Sequence, residues 1–313
     1  MTGNWTRRLL VLAACASAAL LSACGSSTID SALVPSRIIS FGDGLSDLGQ
    51  TGTRYTVNDN TTNIWTQQFA ANYGVNLSAK ASGGTSYASA HVRVTLKPDA
   101  VGSSTSLTVS QQIDQFLAND SFGSNDVVLL NGGLSDLIVQ AQSYTNDSSL
   151  DLAMTQAGKD LATQVRRLVT AGAKYVVVAG LYDASKSPWG VQSNLSGSLS
   201  TAVQDFNSAL LVAINDLGSN VLFVDGAYYY NLLIGSPSSY GLTDSTDVAC
   251  TSVDAGVGIG IGLGQVNSGL CNTNTLVSGI DYTKYAFADK VYFTPAAQVQ
   301  FGNYAYGRIK ARW

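Results

Sequence analysis

The stretch Arg37–Leu48, "RIISFGDGLSDL", opens with a five-residue run of mostly apolar, β-favouring residues. It then turns polar and glycine-rich. This is the pattern of a buried strand that delivers a short turn at its carboxyl end. Gly44 sits in the middle of that turn. Three later runs repeat the design: "DVVLLNGG" (Asp126–Gly133), "KYVVVAGL" (Lys174–Leu181) and "NVLFVDG" (Asn220–Gly226). Between them lie amphipathic stretches with helical spacing: "TNIWTQQFAANYG", "SLTVSQQIDQFLAN", "SSLDLAMTQAGKDLATQVRRLVTAG" and "GSLSTAVQDFNSALLVAINDLG". In the third of these, Leu150, Met154, Leu161, Val165 and Leu168 share one face, and Gly172 is a natural stop. Strands that alternate with helices predict an α/β fold of three layers, a parallel central sheet with helices on both sides. Residues 37–313 read as a single domain, with no internal repeat or linker.

The chain has 313 residues, 45% apolar and only 12% charged, with 31 glycines and a net charge of −4. This profile resembles a secreted or envelope protein more than a cytosolic one. No cluster of Lys and Arg is available to neutralise phosphates, which argues against nucleic-acid binding. The amino terminus carries Arg7 and Arg8, an apolar run from Leu9 to Leu21, and then "LSAC" at Leu21–Cys24. The run is short for a membrane span. The tetrapeptide resembles a bacterial lipobox, which implies a signal peptide over residues 1–23 and acylation of Cys24. An ordinary signal peptide with an incidental cysteine, or a residual anchor helix, are the alternatives. Residues 24–36 read as a lipidated tether that holds the domain at a membrane without spanning it. By analogy with bacterial lipoproteins, Gly25 after that cysteine, rather than Asp, implies sorting to the outer membrane.

Of the four cysteines, Cys15 falls in the signal peptide and Cys24 is the expected lipid carrier. Cys250 and Cys271 remain, and in an oxidising compartment they are expected to close a loop of about 20 residues as a disulfide worth about 3 kcal/mol. Two free buried thiols are the alternative. No cysteine or histidine spacing suggests a metal, and no cofactor is expected. The glycine-rich "GVGIGIGLGQV" (Gly256–Val266), between the two late cysteines, reads as a weak strand or a mobile loop without charge.

Chemistry in a parallel sheet gathers at the carboxyl ends of its strands. Four turns qualify: "GDGLSD", "GGTSYASAHVRV", "NGGLSDL" and "FADKVYFTPAA". In this order they resemble the GDSL, or SGNH, family of esterases and lipases. The likeness runs from about Ile38 to Ile309 and includes "IWTQQFAANYG", "QDFNSAL" and "YAFADKVYFTPAAQVQFGNYAYGRI". It implies a flavodoxin-like strand order. It also implies a nucleophilic serine in the first block, a glycine and an asparagine for the oxyanion hole in the next two, and Asp-x-x-His in the last. This sequence departs from that pattern at the reacting positions. Gly44 stands at the nucleophile, Ala90 and His91 where a glycine pair belongs, and Ser135 at the asparagine. Asp289 is kept, but Tyr292 stands at the base. Gly83 and Gly84, just upstream, are an alternative glycine pair. Loss of triad members leaves only roughly 10³–10⁴-fold catalysis over water. Tyrosine, with an unperturbed pKa of about 10, is a poor base near neutrality.

The resulting expectation is a lipid-anchored envelope protein that has kept the fold, lost the chemistry, and acts in binding or scaffolding, with affinity for an acyl lipid or a glycan. An active esterase that pairs Ser46, Ser86 or Ser135 with His91 is one alternative. A surface protein that uses only the exterior of the fold is another. Asp43, Asp47, Asp136 and Asp289 are expected at the same sheet edge, as caps of backbone N–H groups rather than as a cation site. The Tyr-rich "AYYYNLL" (Ala227–Leu233) suits either a ligand contact or a buried helix, and Trp189 in "DASKSPWG" suits either a groove or loop packing.

Overall fold

The computed structural model describes residues 31–313. The expected signal peptide, Cys24 and the first part of the tether lie outside the described residues. Four short aliphatic runs form a parallel sheet: β1 (Arg37–Phe41), β2 (Asp126–Leu130), β3 (Tyr175–Ala179) and β4 (Val221–Val224), in the order β1-β2-β3-β4. Phe41 pairs with Leu130, Leu130 with Val178, and Val178 with Phe223, so all four carboxyl ends finish level. Near-continuous burial along β2 is what a strand covered on both faces requires.

On the outer side of β1, Thr85–Tyr87 adds a short parallel segment. Ser40 N donates to Thr85 O (3.1 Å), and Tyr87 N donates to Ser40 O (2.7 Å). Counted in chain order, this edge segment makes the strand order 2-1-3-4-5, the flavodoxin-like arrangement. The order reverses beside β1, so the crevice of such a fold falls at the ends of β1 and β2.

The helices are α1 (Trp65–Ala71), α2 (Val109–Asn119), α3 (Leu134–Gln142), α4 (Asp147–Thr170), α5 (Pro188–Gln192), α6 (Ser196–Ile214), α7 (Gly226–Gly235) and α8 (Pro295–Lys310). One layer packs α2, α3, α4 and α6 together, and the other packs α1, α7 and α8. The strands and helices expected from the sequence pattern are all present. Capping explains the boundaries. Asn146 accepts from Ser149 N at the start of α4 (2.9 Å), and Thr108 and Gln111 form a capping box on α2. Gly158 allows α4 to lie against α6, because a Cβ there would fall 2.3 Å from Phe206 O.

After α7 the chain forms a second, two-stranded parallel piece, β5 (Asp244–Val248) with β6 (Tyr285–Phe287). Cys250 and Cys271 are joined in a disulfide with Cα atoms 5.9 Å apart. With Val57 and Ala288 they form a small core of their own. The glycine-rich segment between them is a series of turns rather than a strand. It is held by the buried Ile259 and by Gln142 Nε2, which donates to Gly260 O. Among the described residues, no helix is long and apolar enough to cross a membrane.

Candidate active site

The turn after β1 is built on buried carboxylates and amides. Asp43 Oδ1 accepts from Leu45 N (3.1 Å) and from Asn131 Nδ2 (2.6 Å), while Oδ2 accepts from Leu134 N (3.3 Å), the first residue of α3. Burial pushes the Asp43 carboxyl up to about 6. Gln112 clamps the same turn, with Gly42 N donating to its Oε1 and its Nε2 donating to Gly42 O, both at 2.9 Å. Ser46 points away from the turn's centre into a buried chain. Its Oγ donates to Asn131 Oδ1 (2.6 Å) and accepts from Trp65 Nε1 (3.0 Å).

The centre of the turn is filled. A Cβ added to Gly44 would lie 2.7 Å from Tyr292 Oη, 2.9 Å from its Cε1 and 3.0 Å from its Cζ. Any side chain at 44 therefore has to displace the tyrosine. Tyr292 is fully buried, its hydroxyl has no hydrogen-bond partner among the described residues, and burial raises its pKa well above the ordinary value. Its backbone N–H donates to Asp289 Oδ1 (2.7 Å), which also accepts from Val291 N (2.8 Å). Asp289 Oδ2 accepts from Ser268 N (2.9 Å), inside the disulfide loop.

Two further aromatic rings complete the filling. Tyr55 lies against Tyr292, with ring centroids 5.1 Å apart, and meets His91 edge-on at 4.6 Å. Its Oη and His91 Nε2 are hydrogen-bonded at 2.6 Å. His91 has φ +62°, in the left-handed region that favours glycine, which accounts for a glycine being the expected residue there. Burial lowers its pKa to about 4, so the ring is neutral at neutral pH, and Nδ1 is buried without a partner. Ser89 N donates to Gly42 O (3.1 Å), and Ala90 N donates to Asp47 Oδ2 (2.9 Å). Residues 89–91 therefore lie at the turn. Gly83 and Gly84 precede the edge segment, at its opposite end. The cavity that remains alongside, lined by Leu45, Trp65, Asn131 and Tyr182, measures about 20 Å³, room for a single water.

Ser135, in the first turn of α3, is fully buried with its Oγ unpaired. Asp136 beside it accepts from Arg93 Nε and Val94 N, both at 3.0 Å, as a buried ion pair. Asp47 accepts from Gly49 N, Gln50 N and Ala90 N, each at 2.9 Å. The four carboxylates at this edge are thus engaged by backbone or guanidinium N–H groups. Among the described residues, no set of three or more His, Cys, Asp or Glu is arranged to hold a metal ion. Gly44, Tyr292 and Asp289 come together; His91 reaches them only through Tyr55. Among the described residues, Ser46, Ser86 and Ser135 make no hydrogen bond to His91. Tyr55, Trp65, Gln112 and Asn131 are parts of the site that the sequence reading passed over. Only Asn131, at the strand end in "LLNGG", carried a local signal.

No family model matches the chain. It is similar to an uncharacterized protein in the trpE-trpG intergenic region of Pseudomonas putida, 28% identical over 199 residues, which are 60% of this chain and 29% of that protein. It is also similar to phosphatidylcholine-sterol acyltransferase of Aeromonas hydrophila, 26% identical over 230 residues, 69% of this chain and 65% of that one. The chain spans less than two thirds of the length of either relative. Among solved structures, the native aryl esterase of M. Smegmatis aligns over 88% of this chain and 99% of its own, at 14% identity and a TM-score of 0.45.

Proposed function

We propose that this chain is a lipid-anchored envelope protein on a GDSL/SGNH-type hydrolase fold that no longer hydrolyses esters and acts by binding or scaffolding. The observation that carries this reading is the contact between Gly44 and Tyr292, where the positions of nucleophile and base have closed on each other. Ester hydrolysis needs a nucleophilic oxygen in reach of a base, next to a pocket that admits the carbonyl. Gly44 supplies no oxygen. Tyr292 has its phenol held in the protonated form by burial. His91 spends Nε2 on Tyr55. The carboxylate that would orient a base is still in place, as is the backbone frame around it, which is what an inherited and disused site would keep. The anchor is supported by Arg7 and Arg8, the apolar run and "LSAC" at Leu21–Cys24, and Gly25 after that cysteine supports an outer-membrane location.

The test is hydrolysis of p-nitrophenyl acetate, butyrate and octanoate by the purified full chain, alongside labelling with a fluorophosphonate. The expected result is turnover at the buffer background and no serine labelled. Robust turnover that follows the protein through purification, or a label on Ser46, Ser86 or Ser135, overturns the reading. Mass spectrometry of the membrane-derived protein tests the anchor, with an acylated Cys24 as the new amino terminus expected.

A further inference from the structure

The carboxyl edge of the sheet continues past the filled crevice. Beyond β3 and β4, a groove of about 310 Å³ opens between α6 and the start of α7. Phe223, from the edge strand β4, is half-buried and lines it. Gly180 makes room for that ring, because a Cβ there would lie 2.7 Å from Phe223 Cζ. Asn207 is locked at both ends of its amide, accepting from Leu181 N (2.8 Å) and donating to Leu181 O (2.7 Å).

Two carboxylates line the groove, each fixed through one oxygen. Asp183 Oδ1 accepts from Ser185 N and Oγ (3.2 and 2.6 Å), and its Oδ2 meets only Ser200 Oγ, at 3.5 Å. Asp225 Oδ1 caps α7 by accepting from Tyr228 N (2.9 Å). Its second oxygen, Gln204 Oε1 and the Asn231 amide have no hydrogen-bond partner among the described residues. The polar groups are thus held in place with capacity left over, the preorganised state that favours binding.

The lining selects a ligand class. It includes Asp183 and Asp225 but no Lys or Arg, so it disfavours phosphates and fatty-acid carboxylates. An acyl chain would strip water from carboxylates and amides and return no hydrogen bond. A neutral sugar fits both features. Its hydroxyls donate to the carboxylates and exchange bonds with the amides, and its C–H face lies on Phe223. The volume, at the low end for small-molecule sites, suits one or two sugar rings. We propose that this groove, with Phe223, Asp183, Asp225, Gln204 and Asn231, is a binding site for a neutral glycan. It is separate from the filled crevice and does not depend on whether that crevice is active.

The test uses the full chain in a detergent without a sugar headgroup. Saturation-transfer NMR is run with glucose, mannose, galactose and N-acetylglucosamine, with putrescine as a cationic probe. Transfer to the ring protons of at least one neutral sugar is expected. Gln204→Ala and Asn231→Ala, both at exposed positions, should each weaken it about tenfold. Asp225→Asn keeps a good helix cap and should weaken it as well. Tyr292→Phe, in the filled crevice, should leave it unchanged. The proposal is overturned if no neutral sugar shows transfer, or if the Gln204 and Asn231 variants bind as the parent does. Binding that is lost in Tyr292→Phe, or confined to putrescine, overturns it too.

Discussion

At the ends of β1 and β2 the space over the turn is taken by Tyr292, Tyr55 and His91, whereas at the ends of β3 and β4 a groove lined by partly engaged carboxylate and amide groups stands open. Both lie on the same edge of one parallel sheet, where such folds place their ligands. In the filled half, the residues that serve the backbone persist: Asp43, Asp47 and Asp289 each accept from at least two main-chain N–H groups. Removing one would orphan buried donors. The space over the turn is under no such constraint, and there a glycine faces bulky aromatic rings. In the open half, polar side chains keep unspent hydrogen-bonding capacity. The contrast separates what the fold needs from what a ligand needs.

The strongest test of the filled half removes its staple. Cys250→Ser with Cys271→Ser opens a loop spanning 21 positions and should cost about 3 kcal/mol in urea or guanidinium unfolding. The loop carries Ser268 N, which bonds Asp289, and Gly269, which lies against Tyr55, so the loss should loosen the aromatic filling. Sugar binding at α6 and α7 should not change. If both halves fail together, they are not independent.

Protonation probes the same half with opposite signs. His91 has a folded pKa of about 4, below its unfolded value, so the unfolded chain binds the extra proton between about pH 6.5 and 4. The stability of the parent relative to His91→Asn, a residue that tolerates the left-handed backbone, should therefore fall as pH drops from 7 to 4. The full change is on the order of 3 kcal/mol. Asp43, raised to about 6, takes its proton first in the folded state. Relative to Asp43→Asn, the parent should gain stability over about pH 6 to 4, by a comparable amount. Paired unfolding curves at pH 7, 5.5 and 4 read both signs; a pH-independent His91→Asn difference would mean the ring is solvated.

Much of this molecule is written in local pattern. The strands at Arg37 and Asp126 are aliphatic runs ended by glycine turns, and the long helix α4 carries apolar residues at helical spacing, so fold and layers are legible. Gly44 and Tyr292 are also readable as departures from a motif. Their contact is not, because 248 positions separate them in the chain and only the sheet brings them together. Tyr55 lies in a loop with no periodicity and joins His91 to Tyr292 from outside every motif. The groove is equally silent in sequence: Gln204 and Asn231 look like any exposed polar residues until β4 and α7 are placed beside α6. The pattern of the glycine-rich segment suits strand and loop alike, and the contacts that fix it, with Gln142 and through Ile259, are tertiary.

Gly44→Ser places a side chain against the tyrosine ring and should destabilise by about 1–3 kcal/mol through overpacking. Adding Tyr292→His should recover most of that stability in thermal unfolding. Ester hydrolysis should stay near background, because Ser135 offers no amide and His91 keeps its ring beside Tyr55. Large recovered turnover would mean that only two groups were absent.

The smallest change is the most direct probe of how dry the filled half is. Tyr292→Phe deletes one oxygen, which has no partner among the described residues and sits 2.7 Å from where a Cβ at Gly44 would be. A buried hydroxyl without a hydrogen bond has forfeited its hydration on folding, so its removal should be neutral or stabilise by about 1 kcal/mol. The ring carbons at 2.9 and 3.0 Å remain, so Gly44→Ser should still be penalised in the Phe background, though by less. A loss of stability in Tyr292→Phe would show that the hydroxyl bonds a water held over Gly44. That would make the crevice a wet remnant rather than a packed core, and would narrow its contrast with the groove at the far end of the sheet.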